Sequence, residues 1–410
     1  MTSSLEIAAP RAPFRLEIPA PKVLTEKEEL ALYRAAVERS PESREIRYSL
    51  AVKLLKANFF DELIALCASE DEFRFLDLRV DALLSRESAE DDLAARALSR
   101  RALALAVGPG QRARILTALA KAHIRLGEID EARQCLQEAL SLNAGEKDAY
   151  KRTVAVALRE SRPGEVLTHA SVMIANGVVH SRVLCSQSIA FAALGMIDEA
   201  REAAGIDRYL AEFEPAPPEG WNSLEEFNRQ LAAEVGDHPD TRYDRYGTAS
   251  TRTWRIDEPS IKRSRLFPVL QQLISREIQA YVARLPEDGS PFVAGQPAEA
   301  RLRNWCVITE GDGHETWHVH QNGWLSGVYY IHIQDHIANG AGKEGCIAFG
   351  LPDDLVGVEH AEKFGEVVRR PRSGLMMIFP SHVYHRTYPH HGSGRRICYA
   401  FDVIPTSGRS

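Results

Sequence analysis

A chain of 410 residues is longer than one hydrophobic core usually organises, so two or three domains are expected. Its 44% hydrophobic and 26% charged residues are the balance of a globular protein in water, and no apolar stretch is long enough to span a bilayer. A formal net charge of −7 offers no basic footprint for a polyanion, so neither nucleic acid nor membrane is an expected partner.

Residues 1–25 combine scattered prolines with short apolar runs and are expected to be disordered or extended. They show neither a basic segment leading into an apolar core nor a small-residue cleavage pattern, so no secretory signal is read and a cytoplasmic location is expected. Six cysteines at 67, 135, 185, 306, 346 and 398 form no CxxC pair, which fits reduced, buried thiols and argues against a zinc-thiolate site.

Between residues 26 and 210 the pattern is helical and repeated. "LGEIDEAR" at 126–133 returns as "LGMIDEAR" at 194–201, seven identities in eight positions and 68 residues apart. That separation is twice the roughly 34-residue period of stacked helical hairpins. Leu119, Ala120, Gly127, Ala132, Leu136 and Ala139 give the small-and-large alternation that lets one helix lie closely on the next, with Gly127 at the turn. "SLAVKLLKANFFDELIALC" at 49–67 reads as a further copy; the copy around "LRESRPGEVLTHASVM" is degenerate, with Ser161 where glycine is expected. The stretch resembles the tetratricopeptide repeat. The resemblance implies a short solenoid of four to six hairpins whose concave face holds a peptide or protein partner.

Residues 211–222 carry three prolines and a glycine and are expected to link this solenoid to a second unit, 223–405. Ser223 followed by Glu226 is a capping-box spacing, so a helix is expected from there. A second is expected through "FPVLQQLISREIQAYVARL", where Leu270, Leu273, Ile274, Ile278, Tyr281 and Leu285 recur at helical spacing. After residue 300 short runs rich in β-formers follow one another: "LRNWCVI", "WLSGVYYIHI", "GCIAFG", "GLMMIF", "VYHRTY" and "RICYAFDVI". Such a series favours an antiparallel sandwich or barrel.

Ten of the fourteen histidines fall between 314 and 391. On an extended segment residues i and i+2 face the same way, so His318 and His320 can offer two imidazoles to one metal ion. Further along, "GLMMIFPSHVYHRTYPHHGSGRRICYAFDV" carries His385 and, eleven residues later, Arg396. Arg396 opens an alternating strand with Ile397, Tyr399, Phe401 and Val403 on one face and Arg396, Cys398 and Ala400 on the other. If the apolar face packs against the helices, Arg396 projects inward, where a guanidinium needs a bidentate carboxylate partner.

With "HxHxxGWLSGVYY" and "FPSxxxH...P...G..R" both present, the C-terminal segment resembles the Fe(II)- and 2-oxoglutarate-dependent oxygenases. The resemblance implies a double-stranded β-helix, or jelly roll, and a dioxygenase consuming 2-oxoglutarate and O₂ while oxidising a C–H bond of a peptide, protein or small molecule. It also implies iron ligation by His318, His320 and His385 and capture of the distal 2-oxoglutarate carboxylate by Arg396. Two departures stand out. Most members hold iron with two histidines and a carboxylate, whereas His320 occupies the carboxylate position, leaving Glu315, Asp312 and Asn322 as alternative third ligands. Cys398 stands where many relatives have Ser, so another hydroxyl (Tyr329, Tyr330 or Ser381) is expected to assist cosubstrate binding.

The alternatives are a non-oxygenase cupin-type metalloenzyme, in which Arg396 has no role, and a solenoid scaffold with a catalytically silent jelly roll. His382 is expected at the surface, and His314, His332, His336, His360, His390 and His391 as exposed or hydrogen-bonded loop residues. Trp305, Trp317 and Trp324 are expected in the core or the pocket wall, with core favoured.

Overall fold

The computed structural model describes residues 13–406 except 237, 244–246, 258, 262 and 263. From Glu26 to Tyr209 the chain is helical, and neighbouring helices pair as antiparallel hairpins. Five hairpins follow the opening helix Glu26–Arg39; their first helices are Arg44–Lys56, Phe73–Arg86, Gly108–Arg125, Lys147–Arg159 and Ser181–Ala193. Each hairpin covers an apolar face its neighbour leaves open: Ala113, Leu116, Ala120, Ala132, Leu136, Ala139 and Ala149 form one such layer.

The turns explain the repeat. Gly127 and Gly195 have φ of 79° and 78°, and the next residue's amide reaches back to close the helix end, Glu128 to His123 O and Met196 to Phe191 O, both at 2.9 Å. Ser161 occupies the same place with φ 57°, and Arg162 N bonds Ala157 O at 2.9 Å, so the degenerate copy keeps the turn without the glycine. No helix among the described residues is long and apolar enough to cross a membrane.

The remainder is built around eleven strands: β1 Arg15–Glu17, β2 Ala211–Phe213, β3 Arg242–Tyr243, β4 Ser250–Ile256, β5 Glu299–Glu315, β6 Leu325–His332, β7 Ile347–Phe349, β8 Val367–Arg369, β9 Met376–Pro380, β10 His385–Thr387 and β11 Arg395–Pro405. The larger sheet runs β2-β9-β6-β11-β5-β4-β3, with β1 added in parallel to β5; the smaller runs β10-β7-β8. The other pairings among these strands are antiparallel. The sheets face each other across Trp305, Val307, Tyr330, Met377, Phe379 and Cys398 on one side and Ile347 and Phe349 on the other, the layering of a jelly roll.

β11 lies in the middle of the larger sheet and obeys its alternation. Ile397, Tyr399, Phe401 and Val403 pack outward against helices Phe267–Ala283 and Leu224–Gly236, with the Phe267 and Tyr399 rings stacked at 5.1 Å. Arg396, Cys398, Ala400 and Asp402 face the space between the sheets. The Ser223 hydroxyl caps the second of these helices, accepting from Glu226 N at 3.1 Å.

The 211–222 stretch begins as β2 on the edge of the larger sheet, where its three residues satisfy the open edge of β9. Of the N-terminal segment expected to be disordered or extended, Arg15–Glu17 is the extended strand β1 paired with β5; residues 1–12 lie outside the described residues. The solenoid also touches the β-domain directly: the Ser181 hydroxyl donates to Gly323 O at 2.5 Å, and Arg201 reaches Phe364 O.

Candidate metal centre

His318 and His320 lie on the segment joining β5 to β6, and backbone hydrogen bonds fix that segment against the chain around β10. His318 N bonds His385 O at 3.0 Å, His385 N returns to His318 O at 3.1 Å, and His320 N reaches Ser381 O at 3.0 Å. Residues far apart in sequence are thereby set side by side. The ring centroids stand 5.2 Å apart for His318 and His320, 4.1 Å for His318 and His385, and 5.0 Å for His320 and His385. One nitrogen from each lies within 4.8 Å of the other two.

The other nitrogen of each ring decides the tautomer. His318 Nδ1 is 2.7 Å from Thr316 O and His385 Nδ1 is 3.0 Å from Val383 O. A carbonyl only accepts, so both Nδ1 atoms carry the hydrogen and both Nε2 lone pairs are free for a metal. His320 Nδ1 bonds instead to a carboxylate, Asp402 Oδ1, which also accepts from the Ser326 hydroxyl at 2.7 Å. Burial and the neighbouring imidazole of His320 push the His318 pKa down to about 3, and burial with both neighbours holds His385 well below the ordinary histidine value. The neutral, ligating form is favoured in both.

Arg396 lines the same cavity, whose volume is about 540 Å³. It is almost fully buried, its guanidinium carbon sits 5.3 Å from the Tyr330 ring, and neither its Nε nor the Tyr330 hydroxyl has a hydrogen-bond partner. Two buried donors left open beside three imidazole nitrogens that could hold a metal ion are what an incoming carboxylate would satisfy. The donor set and these orphaned atoms therefore fit a divalent metal with a carboxylate cosubstrate.

The structure also separates the alternatives. Glu315 lines the cavity, yet its Oε1 accepts from Ser250 Oγ at 2.6 Å; Asp312 is exposed and pairs with Arg252 and His391. Neither belongs to the convergent group, and Asn322 lines the cavity without joining it. Of the hydroxyls, Tyr329 faces the outer layer and donates to Asn228 at 2.8 Å, and Ser381 bonds Ser326 at 2.7 Å, leaving Tyr330 beside the arginine.

The surface placement expected for His382 is incorrect: it is buried, packed 5.6 Å from the Phe292 ring, with its pKa pushed down to about 4 by burial. Its turn is covered by the solenoid, whose backbone at Ala203 and Ala204 it meets. Trp324 is core, donating to Phe292 O at 3.0 Å, whereas Trp305 and Trp317 line the cavity. Asp402 escaped the sequence reading, although it continues the inward series of Arg396, Cys398 and Ala400 and is the first carboxylate on that face.

The two-sheet β-domain thus brings three imidazoles that could hold a metal ion and a buried arginine into one cavity. In the family comparison, residues 303–402 match the family described as "Putative 2OG-Fe(II) oxygenase", and residues 113–156 match the tetratricopeptide repeat. The family's cofactors are Fe(II) and 2-oxoglutarate. No curated protein sequence matches the chain. Among solved structures, a Pseudomonas putida prolyl-4-hydroxylase is 15% identical over 52% of this chain and 100% of its own, with TM-score 0.31. HygX from Streptomyces hygroscopicus, solved with nickel and 2-oxoglutarate bound, is 15% identical over 49% of this chain and 85% of its own, with TM-score 0.34. YrrB, a tetratricopeptide-repeat protein with an unusual peptide-binding site, is 16% identical over 43% of this chain and 91% of its own, with TM-score 0.32.

Proposed function

We propose that this protein is an Fe(II)- and 2-oxoglutarate-dependent dioxygenase that hydroxylates a C–H bond of a peptide, protein or small-molecule substrate. The observation that carries the proposal is the convergence of His318, His320 and His385 in one cavity with the open donors of Arg396.

Bound iron, with 2-oxoglutarate and O₂, supplies the oxidant, the cosubstrate leaving as succinate and CO₂. The chain's own residues do the rest. The Nε2 lone pairs of His318, His320 and His385 would hold the metal, and the cavity beside them would receive the cosubstrate. Arg396 pairs with the distal carboxylate of 2-oxoglutarate, and the Tyr330 hydroxyl donates to the same group, compensating for the weak thiol donor at Cys398. Phe379 and Trp305 pack on the His385 and His320 rings at 4.8 and 5.4 Å, fixing the ligands and keeping water from their inner sides. Arg396 also favours the oxygenase over a cupin-type reading, in which nothing would answer a buried guanidinium.

The test is succinate formation from 2-oxoglutarate under air with added Fe(II), in the presence and absence of a broad peptide pool. The wild type is expected to form succinate, and His385→Ala and Arg396→Ala to lose it. Equal succinate formation in all three would contradict the proposal.

A further inference from the structure

The turns that carry the proposed ligands are not held by the β-domain alone. The first, 320–323, follows directly on His318 and is closed by Gly323 N on His320 O at 3.2 Å; the second, 380–383, leads into His385 and is closed by Val383 N on Pro380 O at 3.1 Å. A turn between strands stays where its neighbours hold it. Here one neighbour is the last hairpin of the solenoid, helices Ser181–Ala193 and Ile197–Ala204.

On the first turn the hairpin acts through hydrogen bonds. The Ser181 hydroxyl donates to Gly323 O at 2.5 Å, and the Arg182 guanidinium donates from Nε and Nη2 to Gln321 Oε1 at 3.2 and 3.1 Å. Ser181 and Gly323 are both buried, so water does not compete for their bond. On the second turn the hairpin acts through packing: His382 meets the backbone at Ala203 and Ala204, while Val383 and Tyr384 share one apolar core with Cys185 and Ile189 and with Val319, the residue between His318 and His320. Close packing makes such a core resist relative movement of its parts.

The path from Ser181 to a ligand ring is short. Gly323 lies so near Ser381 that a methyl added to it would collide with Ser381 Oγ, so the turn has no slack on its inner side. Ser381 Oγ bonds Ser326 Oγ at 2.7 Å, and Ser326 Oγ stands 3.0 Å from His320 Nδ1. Ser181 therefore presses from outside on the group of hydroxyls that orients the His320 ring. Its own helix is anchored in the solenoid, since the His180 ring stands edge-on to Tyr150 at 5.8 Å and the Tyr150 hydroxyl bonds Ser186 at 2.9 Å.

We infer that Ser181 and Arg182 are positioning residues of the metal centre, so that the last hairpin of the solenoid sets the angle at which His320 meets the metal. The inference rests on the reading of the three histidines as metal ligands. The tetratricopeptide region is then a working part of the metal domain, and a shift of its last hairpin changes metal affinity.

The test is anaerobic titration of the full chain with Co(II), read by calorimetry and by the visible absorption of the bound ion, which reports its coordination geometry. Wild type is compared with Ser181→Ala, Arg182→Met and a control, Ser186→Ala, which removes a hydroxyl of the same helix that bonds Tyr150 instead of the ligand-bearing turns. Ser181→Ala is expected to weaken Co(II) binding about tenfold and to alter the absorption, and Arg182→Met to weaken it about threefold. Ser186→Ala should lower the Tm and leave affinity within about twofold of wild type. Circular dichroism shows which variants fold; Arg182 is only half-buried, so Arg182→Met keeps the test decisive should Ser181→Ala fail to fold. Wild-type affinity and absorption in both folded variants, or in Arg182→Met alone where Ser181→Ala does not fold, would overturn the inference, as would an equal loss of affinity in Ser186→Ala. Absence of Co(II) binding in the wild type would refute the metal reading instead.

Discussion

Replacing Asp402 by asparagine should weaken metal binding without unfolding the domain. Asp402 Oδ1 is the acceptor behind His320 Nδ1, and the Ser326 hydroxyl, 2.7 Å from Asp402 and 3.0 Å from the same ring nitrogen, holds it in place. His318 and His385 rest on backbone carbonyls that no substitution removes, so of the three proposed ligands His320 is the one whose support is a side chain. Partners of this kind typically change metal affinity about 10–100-fold, equivalent to about 1.4–2.7 kcal/mol. The effect should fall near the upper end, because three neutral imidazoles bring no charge of their own and Asp402 is the carboxylate nearest to balancing the cation. Asparagine keeps the volume of the side chain, so circular dichroism should be unchanged. The assay is anaerobic calorimetric titration with Fe(II), with Co(II) as a second ion, on wild type, Asp402→Asn and Ser326→Ala. A large loss in Asp402→Asn and a smaller one in Ser326→Ala are expected. Affinity within twofold of wild type in Asp402→Asn would refute the idea that this carboxylate completes the site.

Three stability predictions follow from the packing. Ser161→Gly should stabilise the protein by about 1 kcal/mol in urea unfolding, since Ser161 holds φ 57° in a turn that two sister copies fill with glycine; Gly127→Ala should cost about the same. Gly327→Ala should destabilise the β-domain by at least roughly 2 kcal/mol, because its new methyl would lie 2.3 Å from the Phe401 ring and 2.5 Å from Met377 O, seen as a lowered Tm. Acid should weaken the fold through His382. With its folded pKa at about 4 and the unfolded value near 6.5, the unfolded chain binds the extra proton between them, so stability is complete above about pH 6.5 and falls on acidification to about pH 4, by roughly 3 kcal/mol. His382→Gln should flatten that slope by about one proton, measured from unfolding midpoints across the window.

The readable features were those with a local period or an inescapable chemical need. The spacing of two puts His318 and His320 side by side, and the alternation of β11 turns Arg396 inward, where burial demands a partner. The solenoid was legible because its turn and small residues return at a fixed interval. The unread features depend on chain segments that meet only in the fold. β1 and β2 are three residues each and carry no period; their place is set by the open edges of β5 and β9. His382 looked like a surface residue because its cover comes from Ala203 and Ala204, almost two hundred residues earlier. Lys151 and Arg182 carry no local signal of their place, since nothing in the repeat says that their helices close the wall of the cavity. Asp402 alone carried a usable signal, a carboxylate on the inner face of β11.

The central claim is that His318, His320, His385 and Arg396 serve one metal and one cosubstrate. Anaerobic addition of Fe(II) and then 2-oxoglutarate tests it directly, because a chelated keto acid on ferrous iron gives a weak visible charge-transfer band. The wild type should show the band, His385→Ala should lose it, and Arg396→Ala should need much more 2-oxoglutarate to reach it. A band that forms in His385→Ala as it does in the wild type would contradict the account.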